Sequence, residues 1–241
     1  MVEKLEKIIS QSQNIVFFGG AGVSTESGIP DFRSADGLYR QRRAIPAEVL
    51  LSHDFFLEHP EEFYAFYRES ILQPALLAKP NPAHVALARL ERAGKLTGVV
   101  TQNIDGLHQA AGSRRVFELH GSVHRNFCLR CGRRYDAAFV AQGAGLPRCA
   151  CGGLVRPDVV LYGEALDEDT VRGALNALMR ADLLIVGGTS LAVYPAAAYL
   201  DAFRGDALVV INRDPTPRDG AAALLLREPI GQALGRLQIK G

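Results

Sequence analysis

The sequence predicts an α/β protein: a parallel sheet wrapped by helices, with a smaller domain inserted into it. Three observations carry this reading. Short apolar runs recur along the chain with helix-period stretches between them, an alternation that builds parallel sheets covered on both faces. The runs are apolar nearly throughout, as strands buried on both sides require. Two stretches, 36–80 and 121–157, break the alternation and form the insert.

The strand-like runs lie at 14–18, 97–101, 116–119, 182–187, 207–211 and 223–226. Helix-period stretches cover 61–77, 82–93, 167–179, 195–203 and 229–237. The opening residues, MVEKLEKIISQSQ, interleave charges with Leu5, Ile8 and Ile9 and read as a short amphipathic helix. They lack the apolar core and small-residue cleavage site of a secretory leader. A cytoplasmic location is therefore expected, where thiols stay reduced. No run of about 18 apolar residues exists, so no membrane span is expected. Lys and Arg number 27 against 26 Asp and Glu, a balance that supplies no bulk field for nucleic acid or an anionic membrane.

The first run leads into Gly19-Gly20-Ala21-Gly22-Val23-Ser24-Thr25. A strand, a glycine-rich turn and then Ser/Thr suit the start of a phosphate-binding helix. Glycines let the backbone approach a pyrophosphate, and free N–H groups at the helix start face the anion. Thr25 stands where G-x-G-x-x-G has its third glycine. Alone, the loop reads equally well as a tight turn without a ligand. It continues as Glu26-Ser27-Gly28-Ile29-Pro30-Asp31-Phe32-Arg33.

The second run ends in Gln102-Asn103-Ile104-Asp105-Gly106-Leu107-His108. Polar side chains at the carboxyl end of a buried parallel strand lie where open α/β sheets bind ligands. Helix capping by Asn103 or Asp105 is the plainer alternative, but capping alone does not need Gln, Asn and Asp together. The third run ends at His120-Gly121. Following a buried strand, His120 can share a mouth with Asn103 and Asp105, and an imidazole titrating near neutrality can serve as general base. His53, His59, His84 and His124 have no visible catalytic partner, and His108 reads as structural.

Cys128-x-x-Cys131 and Cys149-x-Cys151 enclose residues 132–148. Two close pairs at this spacing can offer four thiolates to a tetrahedral Zn²⁺. Gly132 and Gly152-Gly153 suit the turns of a zinc ribbon. The second pair, one residue shorter than the commoner C-x-x-C, needs a tighter turn. Disulfides are disfavoured in a reducing compartment. Four thiolates leave no open position, so one structural zinc per chain is expected.

The run from Gly20 to Thr25 followed by Gly28-Ile29-Pro30-Asp31-Phe32-Arg33, the T-Q-N-I-D-G-L-H segment from Thr101 to His108, and Glu118-Leu119-His120-Gly121 closely resemble sirtuin motifs. Sirtuins are NAD-dependent protein-lysine deacylases. Six motifs in the family's order, the cysteine block among them, cover most of residues 15–214. The resemblance implies a Rossmann-like NAD-binding domain from 1–35, 81–120 and 158–241. It implies a small domain from 36–80 and 121–157, combining a helical module with a zinc-ribbon module. NAD and an acyl-lysine protein or peptide would meet in the cleft between them. Acetyl groups would leave lysine, with release of nicotinamide and O-acetyl-ADP-ribose.

By the same resemblance His120 is the base. Asn103 and Asp105 handle the nicotinamide end, with Ile104 beside them, and Gln102 contacts the ribose. Gly20, Ala21, Gly22, Thr25, Asp31, Phe32 and Arg33 hold the cofactor, Phe32 covering the reacting ribose. Gly187, Thr189 and Ser190, with Asn212, Arg213 and Asp214, hold the adenosine half. Val159, Val160, Leu161, Tyr162 and Gly163, opposite Val193 and Tyr194, meet the peptide by strand addition. No nucleic-acid or membrane partner is implied. Succinyl- and malonyl-preferring sirtuins carry Tyr-x-x-Arg. Here Tyr64 matches the tyrosine, Tyr67 holds the arginine position and Arg68 comes one residue later, so uncharged acyl groups are expected. A hydride-transferring dehydrogenase would leave His120-Gly121 and the cysteines unexplained. A zinc-ribbon binding module would explain the cysteines alone. Mono-ADP-ribosyl transfer stays open on sequence.

Overall fold

The computed structural model describes residues 1–31, 37, 44–143 and 145–239. Nine strands occur among them: β1 (Ile15–Gly19), β2 (Leu96–Thr101), β3 (Val116–Glu118), β4 (Gly121–Cys128), β5 (Arg134–Tyr135), β6 (Val155–Val159), β7 (Leu183–Gly187), β8 (Ala207–Ile211) and β9 (Leu224–Leu226). Six of them form one sheet in the order β3-β2-β1-β7-β8-β9, parallel at every pairing. Counted within the sheet this is 3-2-1-4-5-6, the Rossmann order. All six expected strands appear, each end within one residue of its expected place.

The sheet is buried on both faces because its strands are apolar on both faces. Ile15 and Phe17 of β1 join one core cluster with Leu87, Val99 and Ile185. Val16 and Phe18 point the other way, into a cluster with Val100, Leu178 and Val186. The period of two thus sorts a continuous apolar run into two cores.

A third core joins the remaining parts. Strands β5, β4 and β6 form an antiparallel sheet, which the sequence pattern did not reveal. Its Val123, Cys128 and Val155 pack with Phe56, Phe63, Tyr64 and Tyr67 from the helical residues 53–67. The expected single helix at 61–77 is in fact a helix at Pro60–Tyr67, a π turn at Arg68–Leu72 and a helix at Gln73–Leu77. Gln73 N–H reaches back five residues to the Arg68 carbonyl. Pro74 has no N–H and crowds the preceding turn, so the ladder opens there. Likewise the expected helix at 195–203 is a 3₁₀ helix at Ala196–Ala202. Among the described residues no helix is long and apolar enough to cross a membrane.

Candidate active site

Strands β1 and β7 are neighbours, and β1 pairs with β2 on its other side. The chain therefore departs in opposite directions at their carboxyl ends, and a crevice opens there. The loops after β1 and β7 meet across it. Gly22 N–H donates to the Gly188 carbonyl at 2.8 Å. A Cβ on Gly22 would lie 2.8 Å from that oxygen, and one on Gly20 would lie 2.9 Å from Thr189 Cβ. These glycines are required by contact between two loops as well as by access for a ligand. The Gly22 amide is already taken up, so it does not face an anion as expected. No α-helix follows the loop either. Ala21–Val23 and Thr25–Ser27 are single 3₁₀ turns, ended by Gly28 at φ 86°. Asn81 Nδ2 secures them by donating to the Val23 carbonyl at 2.7 Å and to Ser27 Oγ at 3.0 Å. Glu26 accepts from the Gly231 N–H at 2.6 Å.

The loop after β2 carries a buried polar cluster. Ser24 Oγ donates to Asp105 Oδ2 at 2.6 Å and accepts from Asn103 Nδ2 at 3.0 Å. The other carboxylate oxygen of Asp105 accepts the Leu107 N–H at 2.9 Å. Asp105 is thus both a cap and a member of the site. Asn103 N–H is held by Thr101 Oγ1 at 3.0 Å. Gln102 reaches across to Thr189, Nε2 to Oγ1 at 3.3 Å, joining the ends of β2 and β7.

His120 follows β3. Its Nδ1 lies 2.9 Å from the Gln102 carbonyl. A carbonyl only accepts, so Nδ1 carries the proton and Nε2 of the neutral ring is the free base. Burial pushes the His120 pKa below the ordinary histidine value, with the Gln102 bond pulling weakly the other way. Gly121 must be glycine: φ is 77°, and a Cβ would sit 2.0 Å from the Asp158 carbonyl oxygen. This close approach brings β6 alongside the base. Gly121 pairs with Val159, and Val160 N–H donates to the His120 carbonyl at 3.0 Å. Beyond it, Arg156 grips Glu164, with NH1 to Oε1 at 2.7 Å and NH2 to Oε2 at 2.9 Å. Burial would raise the Glu164 pKa, but Arg156 and the Leu161 N–H outweigh it and hold it low. That carboxylate fixes the turn at 161–164.

These loops enclose a cavity of about 630 Å³. Gly20, Ala21, Gly22, Thr25, Asp31, Gln102, Asn103, Ile104, Asp105 and His120 line it. So do Thr189, Ser190, Asn212, Arg213 and Asp214, and Val159, Val160, Leu161, Tyr162, Gly163, Val193 and Tyr194. Gly187 does not; it lies behind the cavity, its Cβ position filled by Ile230. Phe32 and Arg33 lie outside the described residues. Sequence reasoning missed Ser24, Glu26, Ile71, Glu228 and Gln232, which also line the cavity, as does Tyr67 at the position the sequence had marked. Ser24 stood inside the glycine motif, whereas Glu228 and Gln232 carried no local signal.

The four cysteine Sγ atoms lie within 4.8 Å of one another. Cys128 and Cys151 are 3.5 Å apart, as are Cys131 and Cys149. A disulfide would need about 2.05 Å. A tetrahedron with Zn–S bonds of about 2.3 Å has edges of about 3.8 Å. The donor set therefore fits a zinc ion. Each pair sits on a turn: Gly132 N–H donates to the Cys128 carbonyl at 2.9 Å, and Gly152 N–H to the Cys149 carbonyl at 2.8 Å. Both glycines have positive φ, which lets the shorter C-x-C pair close.

A model of the Sir2 family matches residues 20–195. The NAD-dependent protein deacetylase of Clostridium perfringens (strain 13 / Type A) is 55% identical over 240 residues, 98% of each chain. That of Cutibacterium acnes (strain DSM 16379 / KPA171202) is 56% identical, over 98% of this chain and 97% of the relative. A solved Sir2 structure with a p53 peptide and NAD⁺ superposes with TM-score 0.85 at 41% identity, over 98% of this chain and 96% of that one. With the Rossmann order, the His120 cavity and the four-cysteine cluster in place, this chain belongs to the Sir2 family.

Proposed function

We propose that the chain is an NAD-dependent protein deacetylase that frees acetylated lysine with His120 as general base. The observation that carries this is the His120–Gln102 hydrogen bond, which leaves the unprotonated Nε2 of a neutral imidazole at the cavity. The relatives named NAD-dependent protein deacetylase, and the structural neighbour with peptide and NAD⁺, support the activity and both substrates.

NAD, when bound, supplies an electrophilic ribose carbon from which nicotinamide departs as the acyl oxygen attacks. The glycines Gly20 and Gly22 admit its phosphates close to the backbone. Thr189, Ser190, Asn212, Arg213 and Asp214 face its adenosine half. Asn103 and Asp105, fixed by Ser24, hold the nicotinamide carboxamide beside Ile104, and Gln102 faces the ribose. His120 Nε2 then takes the proton of a ribose hydroxyl as that oxygen attacks the acyl carbon. One water is consumed as the amine leaves the acyl carbon, so that acetyl-lysine, NAD and water would give free lysine, nicotinamide and O-acetyl-ADP-ribose. Phe32 and Arg33 complete the cofactor contacts on the strength of the sequence motif alone. The zinc takes no chemical step and holds the cysteine-bearing sheet together.

The peptide lies between residues 159–163 and 193–194. The N–H groups of Val160, Leu161 and Tyr162 bond within the chain, so a peptide adding a strand there would donate to carbonyls of this segment instead of accepting from those three amides. The NAD-binding lobe comprises 1–35, 81–120 and 158–241, and the small lobe 36–80 and 121–157. The protein works in the cytoplasm. In the test, an acetyl-lysine peptide and NAD are supplied together. One nicotinamide and one O-acetyl-ADP-ribose should form per lysine freed, and almost no nicotinamide without peptide. Nicotinamide release that leaves ADP-ribose on protein and acetyl on lysine would overturn the reading.

A further inference from the structure

The strand that follows His120 leaves its register for three residues. Ser122 of β4 pairs with Asp158 of β6 and Asn126 pairs with Pro157, so residues 123–125 bulge out of the ladder. Bulges re-aim side chains and are frequent beside active sites. Two buried side chains fix this one from within. Ser122 Oγ accepts the His124 N–H at 3.3 Å, and Asn126 Nδ2 donates to the Val123 carbonyl at 3.3 Å.

The bulged residues grip the loop after β2. Val123 N–H donates to the Ile104 carbonyl at 3.0 Å. His124 Nε2 lies 2.9 Å from the Asp105 carbonyl oxygen. A carbonyl only accepts, so Nε2 carries the proton and donates. The same ring lies against Gly106, where φ is 72° and a Cβ would stand 2.6 Å from His124 Cδ2. Arg125 pairs with Glu118 of β3 and Asp158 of β6, which anchors the bulge to a strand of each sheet. Asp105 is thus held at both ends. Its carboxylate is fixed by Ser24 and the Leu107 N–H, and its backbone carbonyl by His124.

We infer that His124 is a positioning residue for the nicotinamide subsite. Its imidazole donates to the Asp105 carbonyl and keeps Ile104 and Asp105 where they meet the carboxamide, that of NAD before cleavage and that of free nicotinamide after it. The inference rests on the deacetylase reading and refines it.

The test compares wild type, His124→Ala and His124→Gln on one acetyl-lysine peptide. The glutamine amide nitrogen can donate from about the place of the imidazole Nε2, and alanine cannot. Nicotinamide release, KM for NAD, KM for peptide, inhibition by added nicotinamide and melting temperature are measured. His124→Ala should raise the KM for NAD and the half-inhibitory nicotinamide concentration by about threefold to tenfold each, the scale of one neutral hydrogen bond. KM for the peptide should not change, and His124→Gln should restore both values. Wild-type values in His124→Ala would overturn the inference and leave the deacetylase reading standing. A loss that His124→Gln does not reverse would overturn it as well. So would a loss that falls equally on peptide and NAD with a lower melting temperature, which would make His124 a packing residue. Wild type that releases no nicotinamide when peptide is added would overturn both.

Discussion

Ser24 and Asp105 stand 81 residues apart in the chain, yet the Ser24 hydroxyl donates to the Asp105 carboxylate at 2.6 Å. The same hydroxyl accepts from Asn103, so one buried oxygen ties the loop after β1 to the loop after β2. Ser24→Ala leaves a buried carboxylate oxygen and a buried amide N–H each short of a partner. The variant should lose about 1–3 kcal/mol of stability and show a raised KM for NAD. Urea denaturation and steady-state kinetics check this. Unchanged midpoint and unchanged KM would remove Ser24 from the site.

The pH dependence of kcat/KM should report His120. The base acts as neutral imidazole, so activity falls as pH drops and the ring takes a proton. Burial, the dominant influence, places that midpoint below the ordinary histidine value of about 6.5. The acid limb should therefore lie below 6.5, with activity flat from there to neutrality. A limb centred above 7 would mean that another group titrates.

Metal analysis should give one zinc per chain. Cys149 is buried in the core shared by Tyr64, Tyr67 and Val155, and Cys149→Ser should unsettle that core. Structural zinc contributes about 10 kcal/mol to the folding of small peptides. Activity should fall in step with the folded fraction measured by circular dichroism. Metal-free protein that stays folded and fully active would contradict the assignment.

Acyl preference with respect to charge follows from Arg68. Its guanidinium serves two carbonyls outside the cavity lining. A succinyl carboxylate buried without a cation would cost several kcal/mol, so acetyl-lysine should exceed succinyl-lysine in kcat/KM on one peptide. Arg68→Met should lower the melting temperature without changing that ratio. A succinyl preference abolished in Arg68→Met would show that Arg68 reaches the acyl group after all.

The readable parts of the sequence were those fixed by local chemistry. The run at 14–18 could only be a strand buried on both faces, and the glycines after it marked the crevice. His120 stood out because it directly follows the strand-like run at 116–119. The cysteine spacing needed no tertiary knowledge. His108 was rightly read as structural: it is 1% exposed and packs against His84 and Phe17. What escaped depended on distant contacts. Strands β4 and β6 bury only alternate or irregular positions, so no apolar run marked them. The π turn at Arg68–Leu72 and the 3₁₀ turns after Gly20 are too short for a residue pattern to tell them from an α-helical turn. Ser24 could not be singled out because its partners lie on another strand end. Gly188 lies inside the 187–190 segment that the sequence marks, but its contact with Gly22 has no local signal.

The base assignment is tested most directly by His120→Ala, following lysine deacetylation together with NAD binding. Deacetylation should fall by about 10²-fold or more, the usual scale for a lost general base. NAD should still bind, because Gly20, Gly22 and the Ser24 cluster are untouched. A His120→Ala protein that deacetylates at the wild-type rate would contradict the role given to His120.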